Sequence, residues 1–335
     1  MGDGKSHSAL LLSRKDVERV LTPYEAVRAV EDAYREIGLG TAIVPSRLRV
    51  DMDRYNGNIL VMPAYLTDAN ALGTKLVTTH LDNYKLGLAT VIGTIVLNDP
   101  ETGLPLSILD GTYITASRTG AAGAVAAKYL SREDASTVTI AGTGVQGRSQ
   151  VIALAEVRRI KKVFAFDVDA KRCKEFAEEM KKRVDADFLA TDKLEDAVHQ
   201  SDIIVTATTS STPIIKGEWL AEGCHVTGIG SHSPDARELD EEVMKRASKV
   251  VLDTWDAKKV GDVSYPISKG ILREEDIYSD IGTIVAGRKP GRTSAEEITV
   301  FKSVGTAVAD VSAAFRTFQL AKSMGIGSSI DLWSL

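Results

Sequence analysis

The spacing of apolar residues changes along the chain, and each change predicts a different kind of element. A cap at Thr22 and a proline at Pro23 begin a helix with one apolar face, which ends at Gly38 and Gly40. Apolar positions then alternate over residues 40–110, which predicts a mostly antiparallel sheet. In the first of its strands we expect the apolar side chains to face a core, namely Leu48, Val50 and Met52. Arg47 and Arg49 would lie on the opposite face.

A helix of small residues, Tyr113–Leu130, leads into a region where short apolar strands and helices alternate. Such alternation predicts an α/β fold with a doubly wound parallel sheet. The predicted strands are 137–141, 162–167, 186–188, 202–207, 224–229 and 249–253. A strand, a turn and an apolar-faced helix follow at 298–323. This helix comes after the sheet is complete, so we expect it to return to the first domain. The predicted domains are therefore an α+β unit of residues 1–118 with 305–335, and a Rossmann-type unit of residues 119–304.

A glycine-rich turn, Gly142-x-Gly144-x-x-Gly147, lies between the strand at 137–141 and a helix. Gly142 permits a tight turn, Gly144 lets the backbone approach a pyrophosphate, and Gly147 lets the helix pack on the strand. The helix N-terminus, with Val145 and Gln146, offers amide groups to the phosphates. The turn therefore predicts a dinucleotide site.

An acidic residue, Asp167, ends the next strand at about the spacing that this motif requires. Its carboxylate can accept both ribose hydroxyls of NAD(H), whereas Lys171 and Arg172 nearby leave NADP(H) open as an alternative. Further contacts are expected at the carboxyl ends of neighbouring strands, where such sheets bind ligands. The remaining candidates for cofactor contact are Val168, Asp169, Thr206, Thr208, Ile229, Gly230 and Ser303.

Composition narrows the class of protein further. The chain has 335 residues, 44% hydrophobic and 26% charged, with a net charge of −5, which gives no reason to expect nucleic acid or an anionic membrane as a partner. Its N-terminal residues lack the apolar core of an export signal, and no stretch is long enough to span a membrane. Cys173 and Cys224 are expected to be reduced thiols in a cytoplasmic protein. The five histidines show no spacing typical of metal ligands, so no metal is predicted.

Several stretches together resemble the ornithine cyclodeaminase/μ-crystallin family, in the family's order from about residue 24 to 325. These stretches are Met62-Pro63, Leu72–Lys75, Leu86–Gly93, Asp99–Gly103, Ser117-Arg118-Thr119, the glycine turn, Gly230–Leu239 and Val300–Gly305. The resemblance implies a homodimer, with the first domain and the last helix forming the dimerisation and substrate unit. It also implies an active site in the cleft between the domains.

The same resemblance places substrate-facing cations at Arg47, Lys75 and Arg118, with Met62 as a further substrate contact. An arginine fork binds a carboxylate bidentately, and a lysine inside an apolar strand is costly to bury without a function. Burial beside two arginines would lower the pKa of Lys75, which suits transfer of a proton to or from a substrate nitrogen. Arg118, placed by the sequence at the start of a helix, would also reach the cofactor, and Thr119 its phosphates.

Two departures from the family pattern separate its chemistries. Leu60 stands where cyclodeaminases have a glutamate for the distal amine of the substrate. His232 stands where cyclodeaminases and the archaeal alanine dehydrogenase have an aspartate, and it could serve as an acid or base. Without both carboxylates, a site for doubly cationic ornithine lacks its counter-charges.

These observations predict an oxidoreductase, an NAD(P)H-dependent reductase of small 2-imino acids. Its substrates would be pyrroline-2-carboxylate, giving L-proline, or pyruvate plus ammonia, giving L-alanine as in an alanine dehydrogenase. Arg47 and Arg118 would hold the carboxylate, while Lys75 and His232 would be the catalytic residues. Two alternatives stay open: an ornithine cyclodeaminase that uses bound NAD, and a μ-crystallin-like ligand-binding protein.

Overall fold

The computed structural model describes residues 8–331 of the chain. His7 and the N-terminal residues considered for an export signal lie outside this range, as do residues 332–335. Within the range, the helices are α1 (Arg14–Val20), α2 (Pro23–Leu39), α3 (Gly111–Leu130), α4 (Val145–Leu154), α5 (Ala170–Met180), α6 (Leu194–His199), α7 (Glu241–Arg246), α8 (Gly261–Ser268), α9 (Ile281–Val285) and α10 (Ala307–Met324). Short 3-10 helices are Asp53–Tyr55, Asn83–Leu86, Gly217–Trp219, Trp255–Lys259 and Glu274–Asp276.

The strands form two separate sheets. They are β1 (Ser8–Leu12), β2 (Ala42–Ile43), β3 (Leu48–Met52), β4 (Gly57–Leu66), β5 (Ala71–His80), β6 (Val91–Asn98), β7 (Pro105–Asp110), β8 (Thr137–Ala141), β9 (Lys162–Phe166), β10 (Asp187–Ala190), β11 (Ile203–Thr206), β12 (His225–Gly228), β13 (Lys249–Leu252), β14 (Ser279–Asp280), β15 (Thr299–Lys302) and β16 (Ser328–Asp331). The chain divides into two compact units: one runs to Arg118 and resumes at Thr306, and the other runs from Thr119 to Gly305. Gly305, which the sequence assigned to the returning segment, is thus the last residue of the second unit.

The first unit is built on an eight-stranded sheet of order β16-β1-β7-β6-β5-β4-β2, with β3 paired on β4. Strands β2 to β7 pair antiparallel, as expected, whereas β1 pairs parallel with β7. Helix α10 packs against α2 and against strands β4, β5 and β6. The last helix therefore returns to the first unit, as the sequence predicted.

Strand β3 is turned the opposite way from the sequence expectation. Leu48 is 59% exposed and Val50 is 49% exposed, so neither faces a core within this chain. Arg49 pairs with Leu60 in the register of β3 and β4, and side chains alternate along each strand. The arginines therefore share the face of Met62, which is buried. The prediction was wrong because alternation defines two faces without showing whether either is covered; α10 packs against β4, β5 and β6, whereas Leu48–Asp51 of β3 are all exposed.

The second unit contains an eight-stranded sheet of order β10-β9-β8-β11-β12-β15-β13-β14. Its neighbouring strands are all parallel. The strand order reverses between β8 and β11, which is the switch point of a doubly wound fold. This confirms the Rossmann-type α/β fold, and most of the predicted strand limits differ from the observed ones by one or two residues.

Candidate active site

A buried ion cluster lies inside the first unit. The ammonium nitrogen of Lys75 is 2.6 Å from Oδ2 of Asp310, and Nε of Arg118 is 2.7 Å from Oδ1 of the same carboxylate. Asp310 has no exposed surface, and Lys75 and Arg118 are also buried. One carboxylate from α10 therefore joins a cation from β5 to a cation from α3.

Burial changes the acidity of Lys75. Loss of solvent lowers the pKa of its ammonium, Asp310 raises it, and the positive charges of Arg118 and Arg47 lower it again, with a result of about 8. A group with this pKa can both give and recover a proton near neutrality. The predicted lowering of the Lys75 pKa is confirmed, although the sequence reasoning did not include Asp310.

The other predicted substrate residues lie close to Lys75. Arg47 is half-buried just before β3, and its charge acts on Lys75. Met62 stands directly opposite Lys75 in the register of β4 and β5 and is buried. The sequence placed Arg118 at the start of a helix, and this prediction was wrong: it lies about two turns into α3. Its guanidinium is fixed in that position by Asp310 rather than by a helix terminus.

Asp310 is the residue that the sequence reasoning missed. It stands in α10 within a run of small and apolar residues, Ala307–Ala314, and every residue of that run is buried or nearly so. A carboxylate in such a run needs a buried counter-charge. The argument that singled out Lys75 in an apolar strand would therefore also have singled out Asp310.

The glycine turn in the second unit has the geometry expected of a phosphate cradle. Gly142 has a φ of +100°, and a Cβ at Gly147 would lie 2.1 Å from the carbonyl oxygen of Gly142. A Cβ at Gly144 would meet no protein atom within 4 Å. Gly144 also precedes α4 without any side-chain cap, so the first amides of that helix are not satisfied by a capping side chain. These features fit a bound pyrophosphate.

Asp167 is held in place by the same turn. Its Oδ2 accepts hydrogen bonds from the amide of Thr143 at 2.9 Å and from its hydroxyl at 2.8 Å, and its Oδ1 accepts from the amide of Asp169 at 3.0 Å. Burial opposes ionisation, but the bonds from Asp169 and Thr143 and the charge of Arg172 hold the pKa of Asp167 below its usual value. A carboxylate has about four acceptor sites, so capacity for ribose hydroxyls remains. Val168, the next residue, is 97% exposed.

The carboxyl ends of β11 and β12 are joined by a buried acid that the sequence reasoning did not assign. Glu238 accepts hydrogen bonds from the hydroxyl of Thr206 at 2.8 Å, from the amide of Thr208 at 2.7 Å and from the amide of Gly230 at 2.6 Å. Thr208 also donates its hydroxyl to Glu238 at 2.8 Å, and Ile229 is buried beside this group. The threonine hydroxyls thus donate to Glu238, and these hydrogen bonds hold the ends of β11 and β12 together.

Ser303 is arranged in the same manner. Its hydroxyl donates to Asp253 at 2.8 Å, and the amides of Val304 and Gly305 donate to the same carboxylate oxygen at 2.8 Å and 2.6 Å. Burial raises the pKa of Asp253, whereas these donors lower it. The turn after β15 is therefore held by an internal carboxylate rather than left flexible.

Two further residues were predicted to act in the site, Thr119 as a phosphate contact and His232 as an acid or base. Thr119 is buried, and its carbonyl accepts a hydrogen bond from Nε2 of Gln150 at 2.8 Å. His232 is exposed in the loop after β12, with Nδ1 2.8 Å from the carbonyl oxygen of Gly230. The role of each stays a prediction.

Other features bear on the class of protein. Cys173 and Cys224 are buried free thiols. Across residues 8–331, side chains that could ligate a metal do not gather in groups of three or more. Every helix in that range is too short or too polar to cross a bilayer.

The fold and these two sets of residues define a class: a nucleotide-binding α/β protein whose first unit carries a buried cluster of two cations and one carboxylate. Residues 7–324 match the model of the ornithine cyclodeaminase/mu-crystallin family. The chain therefore belongs to this family.

Individual relatives match over nearly the whole chain. An alanine dehydrogenase of Archaeoglobus fulgidus is 39% identical over 326 residues, which cover 97% of this chain and 99% of that protein. The structure of a Thermococcus litoralis Δ1-pyrroline-2-carboxylate reductase in complex with NADH and L-proline is 42% identical, with a TM-score of 0.92, and covers 96% of this chain and 100% of that one. An archaeal alanine dehydrogenase dimer with bound NAD is 39% identical, with a TM-score of 0.91, and covers 97% of this chain and 100% of that one.

Proposed function

We propose that this protein is an NAD(H)-dependent reductase of small 2-imino acids. It converts pyrroline-2-carboxylate to L-proline, or pyruvate and ammonia to L-alanine. The observation that carries the proposal is the buried cluster of Lys75, Arg118 and Asp310 in a chain that also has the glycine turn and Asp167. Relatives that are described as acting on these amino and imino acids support it.

The second unit would hold the nucleotide through the turn and the strand ends. The amides after Gly144 would bind the pyrophosphate, and Asp167 would accept the ribose hydroxyls, which favours NADH over NADPH. Reduced nicotinamide supplies a hydride to the imine carbon when it is bound. Complexes of two relatives with NADH and NAD support this choice of cofactor. The other residues proposed for this role are Arg118, Thr119, Gly142, Val145, Gln146, Gly147, Val168, Asp169, Thr206, Thr208, Ile229, Gly230 and Ser303.

The first unit would hold the substrate. Arg47 and Arg118 would bind its carboxylate, and Lys75 would give a proton to the imine nitrogen as the carbon–nitrogen double bond is reduced. His232 remains a second candidate for this proton. Met62 lies opposite Lys75, and Leu60 lies two positions away on the same face of β4. Both offer apolar surface to a small side chain or ring. This surface has no counter-charge for a distal amine, which disfavours ornithine.

The test is consumption of NADH by the purified protein with each proposed substrate. We expect oxidation of NADH with pyrroline-2-carboxylate, with pyruvate plus ammonia, or with both. The rate should fall as the pH rises through about 8, because reduction needs the protonated form of Lys75. If neither substrate oxidises NADH or NADPH, the proposed reaction is wrong.

The same assay distinguishes the alternatives. An ornithine cyclodeaminase would release ammonia from ornithine with no net change in NADH. A ligand-binding protein of the μ-crystallin kind would bind NADH, but without turnover of any of these substrates.

We also propose that the protein is a homodimer in the cytoplasm. One face of the sheet in the first unit is apolar and is left uncovered by residues 8–331, with Leu76 39% and Ile92 41% exposed beside Leu48 and Val50. The strand registers place these four side chains on one face. A second copy of the chain would cover it, and a relative described as a dimer supports this assembly. The buried free thiols support a reducing compartment.

A further inference from the structure

The carboxylate of Asp310 contacts two cations at once, through different oxygens. Oδ2 lies 2.6 Å from the Lys75 ammonium, and Oδ1 lies 2.7 Å from Nε of the Arg118 guanidinium. Lys75 enters from β5, Arg118 from α3 and Asp310 from α10. All three side chains are buried, so Asp310 links α10 to β5 and to α3 through buried ion pairs.

We infer that Asp310 is a positioning residue that holds Lys75 and Arg118 in one arrangement and determines how readily Lys75 releases its proton. The inference rests on the proposed function, in which Lys75 is the proton donor. Asp310 would itself touch neither substrate nor cofactor.

The charges around Lys75 explain why an acid is needed there. Two cations act on Lys75, Arg118 from α3 and Arg47 from the segment before β3, and Asp310 is the anion that acts on it. The neighbours across the sheet, Met62 and Ile95, are apolar. Without Asp310, three positive charges would face one another in a poorly solvated site, and Lys75 would be the one able to lose its charge.

The proton balance gives Asp310 a role during turnover. In the proposed reaction the carbon–nitrogen π bond would break, a C–H bond would form with the hydride of NADH, leaving NAD⁺, and an N–H bond would form with the proton from Lys75. Lys75 is then a neutral amine beside two arginines, and it must regain a proton from solvent before the next cycle. The negative charge of Asp310 favours that return.

The test is replacement of Asp310 by Asn, which keeps the shape of the side chain and removes its charge. The protonation of Lys75 is measured in the protein without ligands, by the 13Cε signal of labelled lysine, which is assigned by its loss in Lys75→Met. We expect Asp310→Asn to lower the pKa of Lys75 by about 1 pH unit or more. Protonated Lys75 at pH 8 would then fall about fivefold, and the alkaline limb of kcat/KM would move to lower pH.

A matched control separates this effect from a general loss of structure. Glu36 is another buried carboxylate of the first unit, and it accepts hydrogen bonds from the amides of Asp68 and Ala69. Glu36→Gln should leave the titration of Lys75 where it is. An unchanged or higher Lys75 pKa in Asp310→Asn would overturn the inference.

A second variant decides the matter if Asp310→Asn does not fold. Arg118→Gln removes a cation but keeps the Asp310–Lys75 pair, so the pKa of Lys75 should rise. An unchanged or lower value would contradict the arrangement in which one Asp310 carboxylate is shared between Lys75 and Arg118. Since the signal is read without substrate, a protein that lacks reductase activity would refute the proposed function while the titration still tests Asp310.

Discussion

The ammonium of Lys75 is buried, and the charged groups around it determine how readily it gains or loses a proton. A surface lysine titrates far above neutrality, whereas burial and two arginines bring the pKa of Lys75 to about 8. Burial on this scale is costly unless a partner is supplied, and here Asp310 supplies it. The chemistry of the site therefore depends on one residue from β5 and one from α10.

Replacement of Lys75 by Met tests its role in proton transfer. The apolar chain fills similar space but carries no proton, so we expect the rate of imine reduction to fall by about 10²–10⁴-fold. Binding of NADH, measured by fluorescence titration, should be nearly unchanged because all the proposed nucleotide residues except Arg118 lie in the second unit.

The control for this variant is a second buried lysine. Lys249 is buried at the start of β13 and pairs with Glu297 at 2.7 Å. Lys249→Met should lower thermal stability with little effect on the rate for each folded molecule. Full activity in Lys75→Met would show that another group, such as His232, gives the proton.

At the scale of the element, the turn between β8 and α4 uses its glycines for two separate purposes. Gly147 lies where any side chain would collide with the carbonyl of Gly142, so it serves the packing of the helix on the strand. Gly144 has open space beside it and an ordinary φ of −76°. An alanine at Gly144 therefore causes no collision within the protein, and its cost arises only where a ligand lies against the backbone.

The pair Gly144→Ala and Gly147→Ala separates these purposes. Gly144→Ala should keep the wild-type melting temperature but weaken NADH binding by about tenfold or more, a loss of about 1.4 kcal/mol. Gly147→Ala should lower the free energy of unfolding by about 1–3 kcal/mol because the new methyl group must displace backbone. Calorimetry and NADH titration measure the two effects. Undiminished NADH affinity in Gly144→Ala would place the pyrophosphate elsewhere.

At the scale of the whole molecule, the first unit's sheet has an exposed apolar face, formed by Leu48, Val50, Leu76 and Ile92, that a partner would bury. Contiguous apolar surface of this kind marks interaction sites in proteins. Leu48 and Val50 belong to β3, the strand whose orientation was predicted wrongly from alternation alone. Their exposure is explained if a second copy of the chain covers them.

The double variant Leu48→Lys, Val50→Lys tests the homodimer. Two charges on this face would be desolvated in a dimer, so the mass measured by light scattering should fall to that of one chain. Leu189→Lys is the control, since Leu189 is 45% exposed on β10 in the second unit and should leave the mass unchanged. A wild-type protein with the mass of one chain, or a double variant that stays dimeric, would exclude this interface.

Much of the molecule follows from its sequence because the signals are local. The glycine turn and Asp167 lie within a short segment, and the alternation of strands and helices predicts the parallel sheet without knowledge of distant contacts. The same holds for α2, where Thr22 caps the helix and Gly40 ends it with a φ of +80°. Steric and hydrogen-bonding preferences of neighbouring residues are sufficient in these cases.

Only the tertiary structure decided which charges meet and which face of a strand is covered. Arg118 and Asp310 are 192 positions apart, and Thr206 and Glu238 are 32 apart, so no local pattern pairs them. Burial of the Met62 face of β4 likewise involves α10, which comes from the far end of the chain. Spacing along the sequence determines periodicity, whereas electrostatic partners and burial depend on distances in space that exist only after the chain has folded.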